Sequence, residues 1–258
     1  VPDADDAANV GNSADVAGAL ASLAETGAAG VEAVPAATVV LLRDGPGGLE
    51  VLMLRRSSAL AFAGGMWVFP GGRVDPEDFA AGPTDELSAA RRAAVREAEE
   101  EAGLVVGEGG LLPWSHWTPP AEVPRRFATW FFVTRAPEGD VTVDGGEIHD
   151  HRWVAPREVL RQRDIELIPP TWITLAQLAA HDRVESVLDE ARSRAPEVFQ
   201  TRIAPEAGGA VALYEGDAGY RDGNTQRPGP RHRLHMTRSG WRYERPDGTV
   251  VTAGPETS

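Results

Sequence analysis

The stretch Arg96-Glu97-Ala98-Glu99-Glu100-Glu101-Ala102-Gly103-Leu104 decides how the rest of the chain is read. It closes a segment in which Leu87, Ala90, Ala94 and Ala98 recur every three to four residues, the period of one helix face, and Gly103 is a stop signal. The spacing predicts a helix from Glu86 to Ala102. On that helix Glu97, Glu100 and Glu101 stand at i, i+3 and i+4, so three carboxylates share one face. Like charges at this spacing destabilise a helix by roughly 0.2–0.5 kcal/mol per pair. A run of this kind is commonly a solvated face. It is also the all-oxygen donor set that a hard divalent cation, Mg²⁺ or Mn²⁺, takes.

Working upstream, Ala37–Arg43 and Leu49–Arg55 are apolar, β-branched runs around Asp44-Gly45-Pro46-Gly47-Gly48, a hairpin pattern. Met66–Pro70 reads as a third short strand that runs into Gly71-Gly72, where a bare backbone can approach an ion. Residues 75–85, rich in Pro, Asp, Gly and Ala, read as loop. Downstream, Leu104–Val106, Phe127–Thr134 and Arg152–Val154 read as strands, and the span Trp114 to Pro120 as a loop with two indoles. Helices are expected at Pro156–Arg161, 170–181 and 184–194, and beyond 198 short strands alternate with Gly/Pro turns. Interleaved strands and helices with a hairpin predict an α/β fold, a mixed sheet with helices packed on it.

The 258 residues divide into three expected parts. Residues 1–34 form an acidic Ala/Gly-rich arm, mobile, with a short helix near 14–25; they contain no basic residue and so lack the n-region of a secretory signal. Residues 35–197 form the main domain with its C-terminal helices, and 198–258 an appended Arg-rich β/turn region. Net charge is −14, which argues against nucleic acid as a partner. No apolar run is long enough for a transmembrane helix, and a cytoplasmic location is the simplest reading. There is no cysteine, so disulfides and thiolate chemistry are excluded. There is also no lysine: every basic side chain other than histidine is arginine, and anions must be held by arginine, histidine or backbone N–H groups.

The helical segment resembles the Nudix box, and the chain is similar to the Nudix hydrolase superfamily. The second half of the box, Arg96 to Leu104, matches throughout, and Trp67-Val68-Phe69-Pro70-Gly71-Gly72 looks like the strand that leads into it. With Gly72 as the leading glycine, the position of the box's first glutamate holds Asp78. Arg96 then lies 24 residues after Gly72, ten more than the family spacing, so the box is interrupted and the role of Asp78, or of Glu86 in its place, stays open. The resemblance implies an α/β/α sandwich with a C-terminal helical and β extension, and hydrolysis of a diphosphate joined to another group, with Mg²⁺ or Mn²⁺. It implies Glu97, Glu100, Glu101 and the Gly71 carbonyl as metal ligands, with Arg96 pairing a neighbouring glutamate. The general base is left between a box glutamate and Glu147.

Shorter matches look like the coenzyme A and acyl-CoA diphosphatase branch. They are the interrupted box after Phe69-Pro70-Gly71-Gly72, Trp117-Thr118-Pro119, Arg125-Arg126-Phe127, Phe131-Phe132, Trp153 and Pro169-Pro170-Thr171. That branch cuts CoA to 3′,5′-ADP and (acyl-)phosphopantetheine. Gly72 and the pairs Arg55-Arg56 and Arg125-Arg126 are candidate substrate contacts, and Trp117 a candidate stacking face for a base; packing and surface-charge roles are the plain alternatives. ADP-ribose, a dinucleotide or a nucleoside triphosphate stay open as substrates, as does a nucleotide sensor without turnover. The family also admits a homodimer. Arg221, Arg227, Arg231, Arg233, Arg238, Arg242 and Arg245 cluster near the C-terminus, facing a substrate phosphate, the acidic arm or a partner subunit. The alternation of Arg231, Arg233 and His235 suggests one polar strand face.

Overall fold

The computed structural model describes residues 32–58, 64–123, 126–143, 145–162 and 165–253. The acidic arm through residue 31, with the helix expected near 14–25, lies outside them. Strand β1 (Val34–Gly45) is buried on both sides over Val39–Leu42, as a central strand must be. It turns into β2 (Gly48–Arg56), but the two pair only at the turn end, Leu42–Gly45 against Gly48–Val51. Beyond that they part. Strand β3 (Trp67–Val68) pairs with β2 at Arg55 and Leu54, and β4 (Gly71–Arg73) pairs with β1 at Ala36–Thr38. The segment Trp67–Arg73 is thus a wedge between two diverging strands.

The sheet is completed by β5 (Leu112–Thr118), β6 (Phe127–Arg135), β7 (Ile148–Val154) and β8 (Glu197–Gln200). β6 runs parallel to β1 and antiparallel to β5, β8 runs parallel to β5, and β7 pairs antiparallel with β2. The sheet is mixed, as expected. Three local expectations are corrected. Residues 103–107, with Leu104–Val106, carry no strand; Leu104 and Val106 pack instead beneath the helix that precedes them. Trp114-Ser115-His116-Trp117-Thr118 is strand rather than loop, because its indoles face the core. Within 75–85 lies a short helix, α1 (Pro76–Ala80), with Pro76 at its first position and Asp75 before it.

Helix α2 (Glu86–Ala102) has the predicted bounds. Asp85 Oδ1 accepts from the Ser88 amide at 2.9 Å, a cap worth about 1 kcal/mol, and Gly103 ends the helix in the left-handed region at φ 67°. Its buried face is Ala89, Ala90, Ala93, Ala94, Ala98 and Ala102. Alanine gives high helix propensity and little bulk, so the helix backbone lies close to β1. Helices α3 (Pro156–Arg161), α4 (Pro169–Leu178) and α5 (Val184–Ser193) follow, α4 and α5 lying on the opposite side of the sheet with Trp114, Trp117 and Phe131. The result is a sheet between helical layers.

Five further strands, β9 (Arg202–Glu206), β10 (Gly209–Leu213), β11 (Arg233–Thr237), β12 (Gly240–Glu244) and β13 (Val250–Thr252), form a second, antiparallel sheet in chain order. Ala210, Ala212, Leu234, Met236, Trp241 and Tyr243 join the same core as α4 and α5. The cluster of arginines seen in the sequence is largely paired. Arg227 meets Asp222, Arg242 meets Glu244, and Arg245 lies 3.5 Å from Glu197. Arg231 precedes β11 rather than sharing its face. Arg233 is buried, with Nη2 2.6 Å and Nε 2.7 Å from the two Asp217 oxygens, which also accept from the Gly219 and His232 amides.

Burial alone would raise the Asp217 pKa, but the Arg233 bonds and the two amides outweigh it and hold the carboxyl below its ordinary value. A depressed acid contributes stability above its unfolded pKa and loses it as pH falls through the folded one. Asp217→Asn should therefore cost about 3–5 kcal/mol near neutral pH in urea unfolding, since it leaves Arg233 buried and unpaired. The gap to wild type should close as acid protonates Asp217 in the parent.

Candidate functional site

The wedge brings Gly71-Gly72 under the C-terminal half of α2. The Gly71 amide donates to Glu101 Oε2 at 3.0 Å, and Glu101 is buried. Burial pushes the Glu101 carboxyl up to about 8; the Gly71 amide and Arg56 oppose this, and the nearby Glu97 and Glu147 charges add to it. Glu97 is also raised by burial, against the pull of Arg96. Arg96 sits at the centre of the second cluster. Its Nη1 lies 2.7 Å from Glu97 Oε1 and 3.1 Å from Glu100 Oε2; its Nη2 lies 3.2 Å from Asp78 Oδ2, 3.6 Å from Asp75 Oδ2 and 2.9 Å from the Arg73 carbonyl. Burial works against its charge, yet the bonds to Asp78 and Glu97 hold the guanidinium above its ordinary value.

These contacts settle which acid meets Arg96 from the preceding loop. Asp78 is buried, and its Oδ2 also accepts from the Asp75 amide at 2.9 Å, within the first turn of α1. Glu86 is elsewhere, 3.1 Å from Trp130 Nε1 and 3.7 Å from His116 Nε2. The sequence reading missed Asp75. The signal was present in Asp75-Pro76, an acid followed by a first-position proline, with a second acid at Asp78 to close the turn.

Among the described residues, Arg96 is in ion-pair contact with Asp75, Asp78, Glu97 and Glu100, and Arg56 with Glu101 and Glu147. Among the described residues no three acids or imidazoles converge as they stand, because Glu97 and Glu100 turn to Arg96 and Glu101 turns to Gly71 and Arg56. The donor set still fits a hard divalent cation in kind. It is all oxygen, and Gly72 leaves open the space that the Glu97 carboxylate occupies, which a Cβ there would fill.

The family profile described as NUDIX domain matches residues 33–178, more than half of the chain. The chain belongs to the NUDIX family. A Caenorhabditis elegans protein named "Putative nudix hydrolase 7" is 28% identical over 169 residues, which are 50% of this chain and 56% of that protein. The chain therefore spans little more than half the length of that relative. A crystal structure of a NUDIX hydrolase from Alicyclobacillus acidocaldarius is similar with a TM-score of 0.56 at 24% identity, covering 62% of this chain and 96% of that one. The Caenorhabditis elegans Ap4A hydrolase in a binary complex is similar at 26% identity and a TM-score of 0.39, over 56% and 96% of the two chains.

On the Nudix fold the remaining candidates separate. Arg55 and Arg56 point to opposite faces of β2: Leu52 and Leu54 share the face of Arg56 under α2, while Val51 and Met53 share that of Arg55. They cannot act as one fork. Arg55 Nε reaches the Gly65 carbonyl at 3.3 Å, and Arg56 meets Glu101 and Glu147. Arg126 Nη2 holds the Pro119 carbonyl at 3.0 Å, and Arg125 lies outside the described residues. Trp117 is corrected from stacking face to core. It is buried, its ring stacks on Phe199 at 3.8 Å, and its Nε1 donates to Ser115 Oγ.

Two glycine substitutions should separate fold from site. A Cβ at Gly71 would meet the Ala37 carbonyl at 2.5 Å and Thr38 Cα at 2.9 Å, both backbone, so Gly71→Ala should lower stability by about 1–3 kcal/mol. The atoms nearest a Cβ at Gly72 are all at the end of the Glu97 side chain, which can swing away. Gly72→Ala should melt within a few degrees of wild type while displacing the Glu97 carboxylate and lowering turnover at least about tenfold. Thermal melts and steady-state rates on both proteins check this.

Proposed function

We propose that this chain is a divalent-cation-dependent Nudix hydrolase that cleaves the diphosphate linkage of a nucleoside diphosphate derivative. One observation carries the reading: a buried glutamate, Glu101, held by the Gly71 amide at 3.0 Å, on the helix that also bears Glu97 and Glu100 around Arg96. Glu97, Glu100, Glu101 and the Gly71 carbonyl would hold the cation. When bound, a divalent cation offsets the negative charge of a diphosphate and acidifies water at neutral pH. The chain's own residues do the rest. The Gly71 amide fixes Glu101, Arg96 orients Glu97 and Glu100, and Asp78 with Asp75 holds Arg96. Glu147, tied to Arg56 beside Glu101, is placed to accept the proton of the attacking water. The water oxygen bonds to one phosphorus as the bridging P–O bond breaks, and the leaving phosphate carries the electron pair away.

For the substrate, a CoA or acyl-CoA, cut to 3′,5′-ADP and (acyl-)phosphopantetheine, is supported by the sequence matches around Phe69–Gly72 and by a box interrupted between Gly72 and Arg96, where α1 supplies Asp78. A cytoplasmic protein forming a homodimer belongs to the same reading.

Purified protein with Mg²⁺ or Mn²⁺ would be given CoA, an acyl-CoA, ADP-ribose, NADH and a nucleoside triphosphate. Release of 3′,5′-ADP from the CoA substrates is expected, and cleavage of ADP-ribose or NADH alone would replace the substrate but keep the chemistry. Glu100 is solvent-exposed, so Glu100→Gln should fold as wild type while losing at least about a hundredfold in turnover. Turnover equal to wild type at matched metal would defeat the assignment.

A further inference from the structure

Arg56 ends the row Leu52, Leu54, Arg56 on the face of β2 beneath α2. Its Nη1 lies 3.6 Å from Glu101 Oε1 on the helix, and its Nη2 lies 3.2 Å from Glu147 Oε2 in the loop before β7. The backbone is fastened at the same place, with the Ser57 amide donating to the Glu147 carbonyl at 2.7 Å. The β2–β7 register shifts here as well. Arg55 is opposite Asp150 but Arg56 is opposite Ile148, so β7 carries one extra residue, an irregularity of the kind that redirects side chains beside sites.

We infer, on the hydrolase reading above, that Arg56 is a positioning residue that seats the Glu147 carboxylate beside Glu101 rather than a contact for substrate phosphate. Exposure argues for the division of roles. The Arg56 side chain is 17% exposed and both ends of its fork already meet carboxylates, whereas the Glu147 side chain is 59% exposed. A guanidinium that clamps phosphate presents its paired donors to the ligand. Electrostatics points the same way. Arg56 stands between the Glu101 and Glu147 carboxyl groups as the cation that draws both. The Arg56 contact holds the exposed Glu147 carboxylate beside the buried glutamate. Lysine keeps the charge but is a point donor without the fork, so it cannot reproduce a bridge to two carboxylates on different elements.

The test uses the full chain with a divalent cation and whichever substrate the product assay identifies, in four forms: wild type, Arg56→Lys, Glu147→Gln and the double variant. Arg56→Lys should lower kcat about tenfold or more with KM within about twofold, and in the Glu147→Gln background it should change kcat by less than about twofold. A raised KM with kcat intact, or the same loss in both backgrounds, would overturn the inference and return Arg56 to substrate binding. Thermal melts establish that the variants are folded. A crystal structure of Arg56→Lys gives a readout independent of turnover. Glu147 turned away from Glu101 is expected, and Glu147 seated as in wild type would sink the idea. Absence of turnover by wild type on every substrate would instead strike the hydrolase reading.

Discussion

The parting of β1 from β2 is the constraint on which the site depends. Once the hairpin pairing stops at Leu42 and Val51, each strand has an edge of unpaired backbone groups inside a covered sheet, where such groups are costly. The wedge Trp67–Arg73 resolves this by pairing with both strands. It can lie there only if it is thin, because β1 backbone and Thr38 press on Gly71 from one side and Glu97 presses on Gly72 from the other. The alanine face of α2 is the matching condition: a leucine-faced helix would stand farther from β1 and carry the glutamates out of reach of the Gly71 amide. Two glycines and six alanines therefore belong to the chemistry of the site although none carries a functional group.

Proximity creates an electrostatic problem that the arginines only partly relieve. Glu101 is buried far enough that its carboxyl holds a proton well above the ordinary carboxylate range, and Glu97 is shifted in the same direction. A protein built for stability alone would place leucine or glutamine there. The two guanidinium groups act on different acids, Arg96 on Glu97, Glu100, Asp75 and Asp78, and Arg56 on Glu101 and Glu147. Each ties α2 to a loop that sequence distance alone would leave free, α1 in one case and the approach to β7 in the other.

The legibility of these features in the sequence followed from how local their causes are. The bounds of α2 were readable because Asp85, the alanine period and Gly103 act within one helix. The glutamate face was readable for the same reason. Trp114 to Thr118 was misread because proline and polar residues around two indoles look like a loop, while the strand exists through pairing with β6 and β8, and β8 lies eighty residues away. The arginine pair at 55 and 56 looked like one fork because adjacency in sequence hides the alternation of strand faces. Asp78 had the right offset from Gly72, but only the turn of α1 reveals that the extra residues still return it to Arg96.

The C-terminal sheet was the least legible part, and its arginines show why. In sequence they form a basic cluster on an acidic chain; in the fold Arg233 is buried on Asp217, and Arg245 lies beside Glu197, which also accepts from Gln177 on α4, whose side chain in turn accepts from Trp114. That polar chain crosses from β5 through α4 and β8 to the second sheet. His232 sits at its end, bonded to the Glu215 carbonyl and Tyr243, and burial lowers its pKa below the ordinary imidazole value. Arg245 and His232 both reach Glu197 on β8, and the second sheet packs into the core of α4 and α5, so the Nudix fold and the strands that follow its family match share one core. Removing residues beyond 198 would strip the far side of α4, whose surface is apolar around most of its circumference, and leave Trp114 and Gln177 without the far end of their chain. Of the basic residues that looked like a surface for anions, Arg233 is thus a buried counter-charge to Asp217 and Arg245 reaches across to Glu197 on β8, while Arg227 and Arg242 pair with acids of their own segment.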